Sequence, residues 1–343
     1  MTKIINNMYI NELEEYFLAL DEKKFRAKQL FEAFHKKKIK DLMKITTFSE
    51  GLKDKILASS EIYGVKKVLE LKSKLDETKK YLFELYDGNI IESVLMKYKY
   101  GYTVCISTQV GCKMGCAFCA STKSGFIRNL YASEMLDEIY EIERLNEITV
   151  SNVVLMGSGE ALDNFDELIR FIELISSKEG KNLSKRNITI STCGLADKIL
   201  KLAEYNYPIT LTISLHNADE EERKKIMPIT KKYPFKELVP ALEAYQKKIN
   251  KRISFEYVLI DGVNDSYKSA LDIKNLLKDI KSHINLIPLN KIKEYDENPS
   301  TSDNIQKFKN YLEGFGFNVT IRRELGSDIN ASCGQLRNNY LKI

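Results

Sequence analysis

The chain has 343 residues, 43% of them hydrophobic and 29% charged, with 53 Lys plus Arg against 48 Asp plus Glu. That length supplies a sizeable core, and the composition excludes a disordered, collagenous or disulfide-stapled protein. A formal charge of +5 permits a polyanionic partner without demanding one; no apolar run reaches the length of a membrane span, and "MTKIINNMYINELEEYF" lacks a signal-peptide core, so a cytoplasmic protein with no membrane partner is expected.

Residues 1–60 place apolar side chains at helical spacing in "INELEEYFLAL" and "KKFRAKQLFEAFHKKKIKDLMKI", with no glycine before Gly51. They predict a small helical N-terminal domain with a basic face. Over residues 61–100 the period changes. "YGVKKVLELKS", "TKKYLFELYDG" and "NIIESVLMKYKYG" read as strands, the last two joined at an Asp87-Gly88 turn, and predict a short antiparallel β insertion. Over residues 101–343 the strand candidates are "YTVCIS", "NVVLMG", "NITIST", "PITLTIS", "ISFEYVLI" and "HINLIP". Helical segments alternate with them: "ASEMLDEIYEIERLN", "NFDELIRFIELISS", "LADKILKLAEY", "FKELVPALEAYQKKIN" and "YKSALDIKNLLKDI". Such alternation predicts parallel βαβ units, hence an α/β fold with a partial (β/α)6 barrel. A seventh strand-like stretch, "FNVTIRRE", follows the helix "DNIQKFKNYLEGF". "KEYDENPSTSDN" reads as an exposed loop, and Gly314 and Gly316 read as a helix C-cap rather than a phosphate loop.

The first barrel strand runs into "GCKMGCAFCAS", where Cys112, Cys116 and Cys119 stand as C-x3-C-x2-C. In barrels of this type chemistry sits at the C-terminal ends of the strands. Clustered cysteines outside a disulfide scaffold serve metals or catalysis more often than packing. Structural zinc asks for four closed ligands, and none of His35, His216 and His283 is near in sequence. A [4Fe–4S] cluster on three thiolates leaves one iron open to a small molecule, so the pattern favours the cluster over zinc.

Other residues carry bland readings of their own. Cys105 in "TVCIS" suits a strand core, and Cys193 in "ISTCGL" reads as packing. Cys333 lies in the polar, glycine-flanked "GSDINASCGQ", where a core role is less natural. Gly157 and Gly159 in "MGSGE" permit a tight turn or close approach of backbone to a ligand. Alone, His216 reads as a hydrogen-bonded structural histidine and Glu92 as an exposed strand carboxylate. The basic groups Lys23, Lys24, Arg26 and Lys28, "HKKKIK" (35–40), "KYKYGY" (97–102) and Arg128 are solvated faces or phosphate contacts.

Taken with its surroundings, the cysteine motif resembles that of the RlmN/Cfr family of radical S-adenosylmethionine (SAM) RNA adenine methyltransferases. The resemblance is carried by "CISTQVGCKMGCAFCASTKSGFIRNL", "VVLMGSGEALDN", "ITISTCGL", "TISLHNADEEERKKIMPI", "FEYVLIDGVND", "HINLIPLN" and "TIRRELGSDINASCGQLR", and extends to the N-terminal "EKKFRAKQLFEAFHKK". It implies a [4Fe–4S] cluster on Cys112, Cys116 and Cys119 whose open iron binds the amino and carboxylate groups of SAM. An electron from the cluster then cleaves SAM to a 5′-deoxyadenosyl radical, chemistry that side chains alone cannot supply. It further implies that Cys333 takes a methyl from a first SAM and that the radical from a second activates that methyl for addition to the base. Cys105 resolves the protein–RNA adduct through a transient disulfide with Cys333. Attack on SAM asks for a thiolate at Cys333. Glu92 matches a candidate proton acceptor, a role open to Cys105 as well.

The resemblance also makes Gly159, Glu160, Ser191, Ser214, Leu215, His216 and Asn290 cofactor contacts, all at strand ends on one predicted mouth. "QVGC", "ISTCG" and "GQLR" look like the RlmN branch, which methylates carbon 2 of adenine 2503 in 23S rRNA and, in many cases, adenine 37 of tRNA. Ala161, where that branch usually carries Pro, matches the Cfr branch, which methylates carbon 8 of the same rRNA adenine and confers antibiotic resistance. The implied partners are these RNAs, with the target base splayed or flipped, and an electron donor such as flavodoxin or ferredoxin; a monomer is expected. A zinc-bound, non-catalytic RNA-binding protein and a radical enzyme acting on a protein or small molecule are the alternatives from other classes; the latter needs no Cys333.

Overall fold

The computed structural model describes residues 3–331. Ten strands form one sheet whose order in space follows their order in the chain. They are β1 (Lys66–Lys72), β2 (Lys79–Glu84), β3 (Ile90–Tyr98), β4 (Gly101–Cys105) and β5 (Val150–Leu155), then β6 (Ile188–Thr192), β7 (Thr210–Ser214), β8 (Ile253–Leu259), β9 (Ser282–Pro288) and β10 (Asn318–Ile321). From β1 to β4 the neighbours are antiparallel; from β4 to β10 every neighbour is parallel. The antiparallel strands before the barrel therefore do not form a sheet of their own. They hydrogen-bond onto the free edge of β4, so Cys105 pairs with Val94 on one side and Val154 on the other, at the seam between the two parts. The seventh strand-like stretch is β10, which extends the barrel beside β9.

Helices cross between the parallel strands, as the alternation requires. They are α4 (Ala132–Asn146), α5 (Phe165–Ser176), α6 (Ala196–Glu204), α7 (Glu220–Ile226), α8 (Phe235–Ile249), α9 (Tyr267–Leu277) and α10 (Ser302–Gly314), following the N-terminal α1 (Ile10–Leu18), α2 (Phe25–His35) and α3 (Glu50–Ser59). The short α7 escapes a search for helical period because it spans only two turns. Its signal is capping: the Asp219 side chain accepts from the Glu221 and Glu222 amides, with three acids in the first turn.

The N-terminal helices bury Ala27, Leu30, Phe31 and Phe34 in a core continuous with that of the barrel. Polar clamps hold the contact, among them Arg170 with Glu12 at 2.6 Å and the Ser133 amide with Asn7 at 2.8 Å. This packing consumes charges that the sequence offers as phosphate contacts. His35 is buried, Lys38 pairs with Glu143, and Lys40 pairs with Asp137. Arg128 is held by Asp87 and Glu134. Lys23, Lys24 and Lys28 stay exposed. Among the described residues, no helix is long and apolar enough to cross a membrane.

Candidate active site

The C-terminal ends of the parallel strands surround a cleft of about 840 Å³ lined by Cys112, Cys116 and Cys119. The chain leaving β4 is tied to β5 and to the turn after it: the Ile106 amide donates to Val154 O at 3.0 Å and the Thr108 amide to Ser158 O at 2.8 Å. A small ribbon, Gln109–Gly111 against Phe126–Asn129, then closes the cysteine loop. Gly111 has φ 71°, and a Cβ there would lie 1.8 Å from Gly125 O, so only glycine lets the two sides of the ribbon cross directly before Cys112. The far end of the loop rests on α7 through the Ala117 amide and Ile226 O at 2.9 Å.

Cys112 is buried, and Cys116 and Cys119 are half-buried. Burial pushes the Cys112 thiol up to about 12, and the nearby Glu160, Cys119 and Asp163 push the same way. Cys116 is raised further by burial and by its two sister thiols. Three adjacent sulfurs of this kind resist ionising together unless bound cations share the charge, as iron does in a cluster. Among the described residues, no group of three or more His, Cys, Asp or Glu is arranged to hold a single metal ion. Three thiols set around one cavity suit a cluster, which ligates through separate irons.

The same cleft is lined by Gly159, Glu160, Ser191, Ser214 and His216. Glu160 is 5% exposed. Its Oε1 accepts from the Leu162 amide at 3.0 Å and its Oε2 from the Cys193 amide at 2.8 Å, which ties the turn after β5 to the end of β6. Burial raises its pKa. The side chains of Thr192 and Cys193 also hydrogen-bond to this carboxylate, which lines the cleft as an anionic acceptor for a ligand ammonium. His216 adopts φ 58°, and its Nδ1 accepts from the Val258 amide at 3.1 Å, which assigns the proton of the neutral ring to Nε2. Burial holds its pKa down to about 3.

Two residues expected at this mouth lie elsewhere. Leu215 is buried behind it, where its carbonyl accepts from Arg223 Nε at 2.9 Å. Its side chain does not line the cleft because, one residue beyond the end of β7, it points into the core. Asn290 lines a neighbouring cleft of about 400 Å³ with Tyr98, Arg323 and Ala331; the two clefts share Ile287 and Arg322. Cys193, expected as packing, lines the main cleft, its amide held by Glu160. Glu92 is not an exposed strand carboxylate: it is 3% exposed and pairs with the buried Lys80 at 3.0 Å. Cys105 is buried in a small cluster with Val94 and Met96, against which Met156, Leu325 and Ala331 pack. Cys333 lies outside the described residues.

Sequence reasoning overlooked Arg223 and Glu256. Arg223 is fully buried, and its guanidinium donates to the carbonyls of Leu215, Cys193 and Ser214 and to Thr230 Oγ1, bracing the ends of β6 and β7 and the turn between α7 and α8 at once. Glu256 lines the cleft from the fully buried β8 and meets Asn285 at 3.1 Å and Arg322 at 3.5 Å. Its signal was a lone carboxylate inside the apolar run "ISFEYVL".

The family model of the radical SAM superfamily matches residues 106–272, and that of the ribosomal RNA large subunit methyltransferase N-terminal domain matches residues 5–62. A probable dual-specificity RNA methyltransferase RlmN of Lachnoclostridium phytofermentans is 51% identical, over 98% of this chain and 94% of the relative. One with the same description from Clostridium botulinum is 49% identical, over 97% of each chain. The crystal structure of a radical SAM methyltransferase from Sphaerobacter thermophilus superposes with a TM-score of 0.93 at 36% identity, covering 98% of this chain and 99% of the other.

Proposed function

Because the chain belongs to the RlmN family of radical SAM methyltransferases, we propose that it methylates carbon 2 of adenine in 23S rRNA and in tRNA. The observation that carries this reading is the convergence of Cys112, Cys116 and Cys119 with Glu160, Ser191, Ser214 and His216 on one cleft at the barrel mouth. The three cysteines would hold a [4Fe–4S] cluster, and Glu160, Ser191, Ser214 and His216 would hold SAM beside it. Together these cofactors supply the one-electron chemistry that carbon 2 of adenine, neither acidic nor usefully nucleophilic, demands.

The chain's own residues orient and carry. Glu160 accepts from the ammonium of the SAM methionyl group while its two backbone bonds keep the turn in place. His216, neutral near pH 7, offers Nε2–H as a donor. Cys333 carries the methyl group. The Cys105 thiolate releases the RNA by forming a disulfide with Cys333 as the bond between the Cys333 sulfur and the base-bound methylene breaks. The electron pair leaves with that carbon, which takes up a proton to become the methyl group; two SAM are used per turnover. The packing of Ala331 against the Cys105 cluster supports this pairing. Glu92, held by Lys80, is the candidate proton acceptor. Residues 1–60 read RNA shape with Lys23, Lys24 and Lys28 outward, residues 61–100 form the β insertion, and residues 101–343 form the catalytic part. A flavodoxin or ferredoxin serves as electron donor to a cytoplasmic monomer.

The test is mass spectrometry of digested 23S rRNA from a host lacking its own enzyme, with and without this protein. 2-Methyladenosine that depends on the protein is expected. 8-Methyladenosine alone would transfer the assignment to the other carbon, as Ala161 allows.

A further inference from the structure

The stretch Gly326–Ala331 is the last described chain before Cys333, and residues 250 to 255 positions earlier hold it. Asp328 Oδ1 accepts from Ser73 Oγ at 2.7 Å, and Oδ2 accepts from the Lys74 amide at 2.8 Å. Asp76 Oδ2 accepts from the Gly326 amide at 3.0 Å. Lys80 Nζ donates to Asn330 O at 3.2 Å while it pairs with Glu92. The receiving turn is shaped beforehand: Ser73 Oγ accepts from the Leu75 and Asp76 amides, and the Ser73 amide donates to Thr78 O at 2.9 Å. The loop also closes on itself through the Ala331 amide and Gly326 O at 3.0 Å.

Much of this set grips backbone. The partners of Asp76 and Lys80 in the loop are an amide and a carbonyl, and the buried ammonium of Lys80 turns one of its bonds to that carbonyl. Grips on main chain fix where a strand of chain runs, whatever its side chains do. At the end of the gripped stretch Ala331 packs beside Cys105. An unanchored polar, glycine-containing loop would have to be ordered anew for each turnover, and holding reacting groups in place is worth large rate factors.

We propose that the turn Ser73–Thr78 together with Lys80 is a dock that sets the course of the chain into Cys333. Asp328, Ser73 and Lys80 are thereby positioning residues for the methyl-carrying thiol. This rests on the role given to Cys333 above.

The experiment uses the full-length holoenzyme with Asp328→Ala, Ser73→Ala, their double variant and Cys333→Ala. Four quantities are read: iron content, SAM Kd, amide hydrogen exchange over 325–331, and kcat and KM for RNA methylation. In Asp328→Ala, exchange should quicken and kcat should fall about tenfold to a hundredfold, the range expected for misplaced reacting groups. Iron content, SAM Kd and the RNA KM should stay within about twofold. The double variant should fall below Asp328→Ala, because Ser73→Ala also frees the Leu75 and Asp76 amides that shape the turn, but by less than the product of the two single effects, because the pair shares one contact. Faster exchange with unchanged kcat overturns the proposal, provided Cys333→Ala is inactive. Unchanged exchange overturns it too, since no dock has then been broken. An active Cys333→Ala instead refutes the role of that cysteine, and the dock loses its purpose with it.

Discussion

Replacing Glu160 with Gln keeps the shape of the side chain and removes one acceptor. In the native protein its two oxygens separately accept the Leu162 and Cys193 amides, at 3.0 and 2.8 Å, in a site 5% exposed. Glutamine can satisfy one amide only, and its NH2 must then face the other N–H. An unsatisfied buried donor costs about 1–3 kcal/mol. An unfolding entropy of about 2.1 cal/mol/K per residue, over 343 residues, gives about 0.7 kcal/mol/K. A loss of about 2 kcal/mol therefore lowers Tm by about 3 °C. Loss of the charged acceptor for the ammonium, a further 1.5 kcal/mol or more, weakens SAM binding by about tenfold. Scanning fluorimetry of the apoprotein reads the first effect, and anaerobic calorimetric titration of the reconstituted protein with SAM reads the second. An unchanged Tm with an unchanged SAM Kd would refute the reasoning. A lowered Tm with an unchanged Kd would leave Glu160 a brace and nothing more.

Burial holds the His35 pKa down to about 3, so the folded state keeps the ring neutral where the unfolded chain binds a proton. Stability from this group is complete above about pH 6.5 and is lost as pH falls toward 3, by about 2 kcal/mol at pH 5. Glu134, Glu138 and Glu160 are raised by burial and titrate in the opposite sense, so urea melts should compare the protein with His35→Phe: the variant should gain about 2 kcal/mol relative to the native chain between pH 7.5 and pH 5. A difference independent of pH would mean the ring is not held neutral. At Gly157, a Cβ would stand 2.5 Å from Ile106 O and 2.8 Å from Ser107 N, both backbone atoms. Gly157→Ala should cost about 1–3 kcal/mol or more and weaken SAM binding, whereas Gly51→Ala, with nothing within 4 Å on a helix, should be neutral or mildly stabilising in the same melts.

Much of this protein is legible along the chain because helical and strand periods are local. "ASEMLDEIYEIERLN" is the helix Ala132–Asn146, and the strand runs fall in the observed sheet. The three cysteines are legible too, since one loop carries them all. Other features depend on how the sheet closes. Leu215 and Asn290 sit at strand ends like Ser214, yet the rotation of the chain leaving each strand turns one into the core and the other into the next cleft. Lys80 and Glu92 look like surface charges on amphipathic strands, yet they are buried, pair with each other, and Lys80 also holds the chain after β10 at Asn330. Asp328 reads as one acid in a polar loop, and its partner Ser73 lies 255 positions away. Such pairs leave no periodic trace, because their contact arises only when the antiparallel strands join the edge of the barrel.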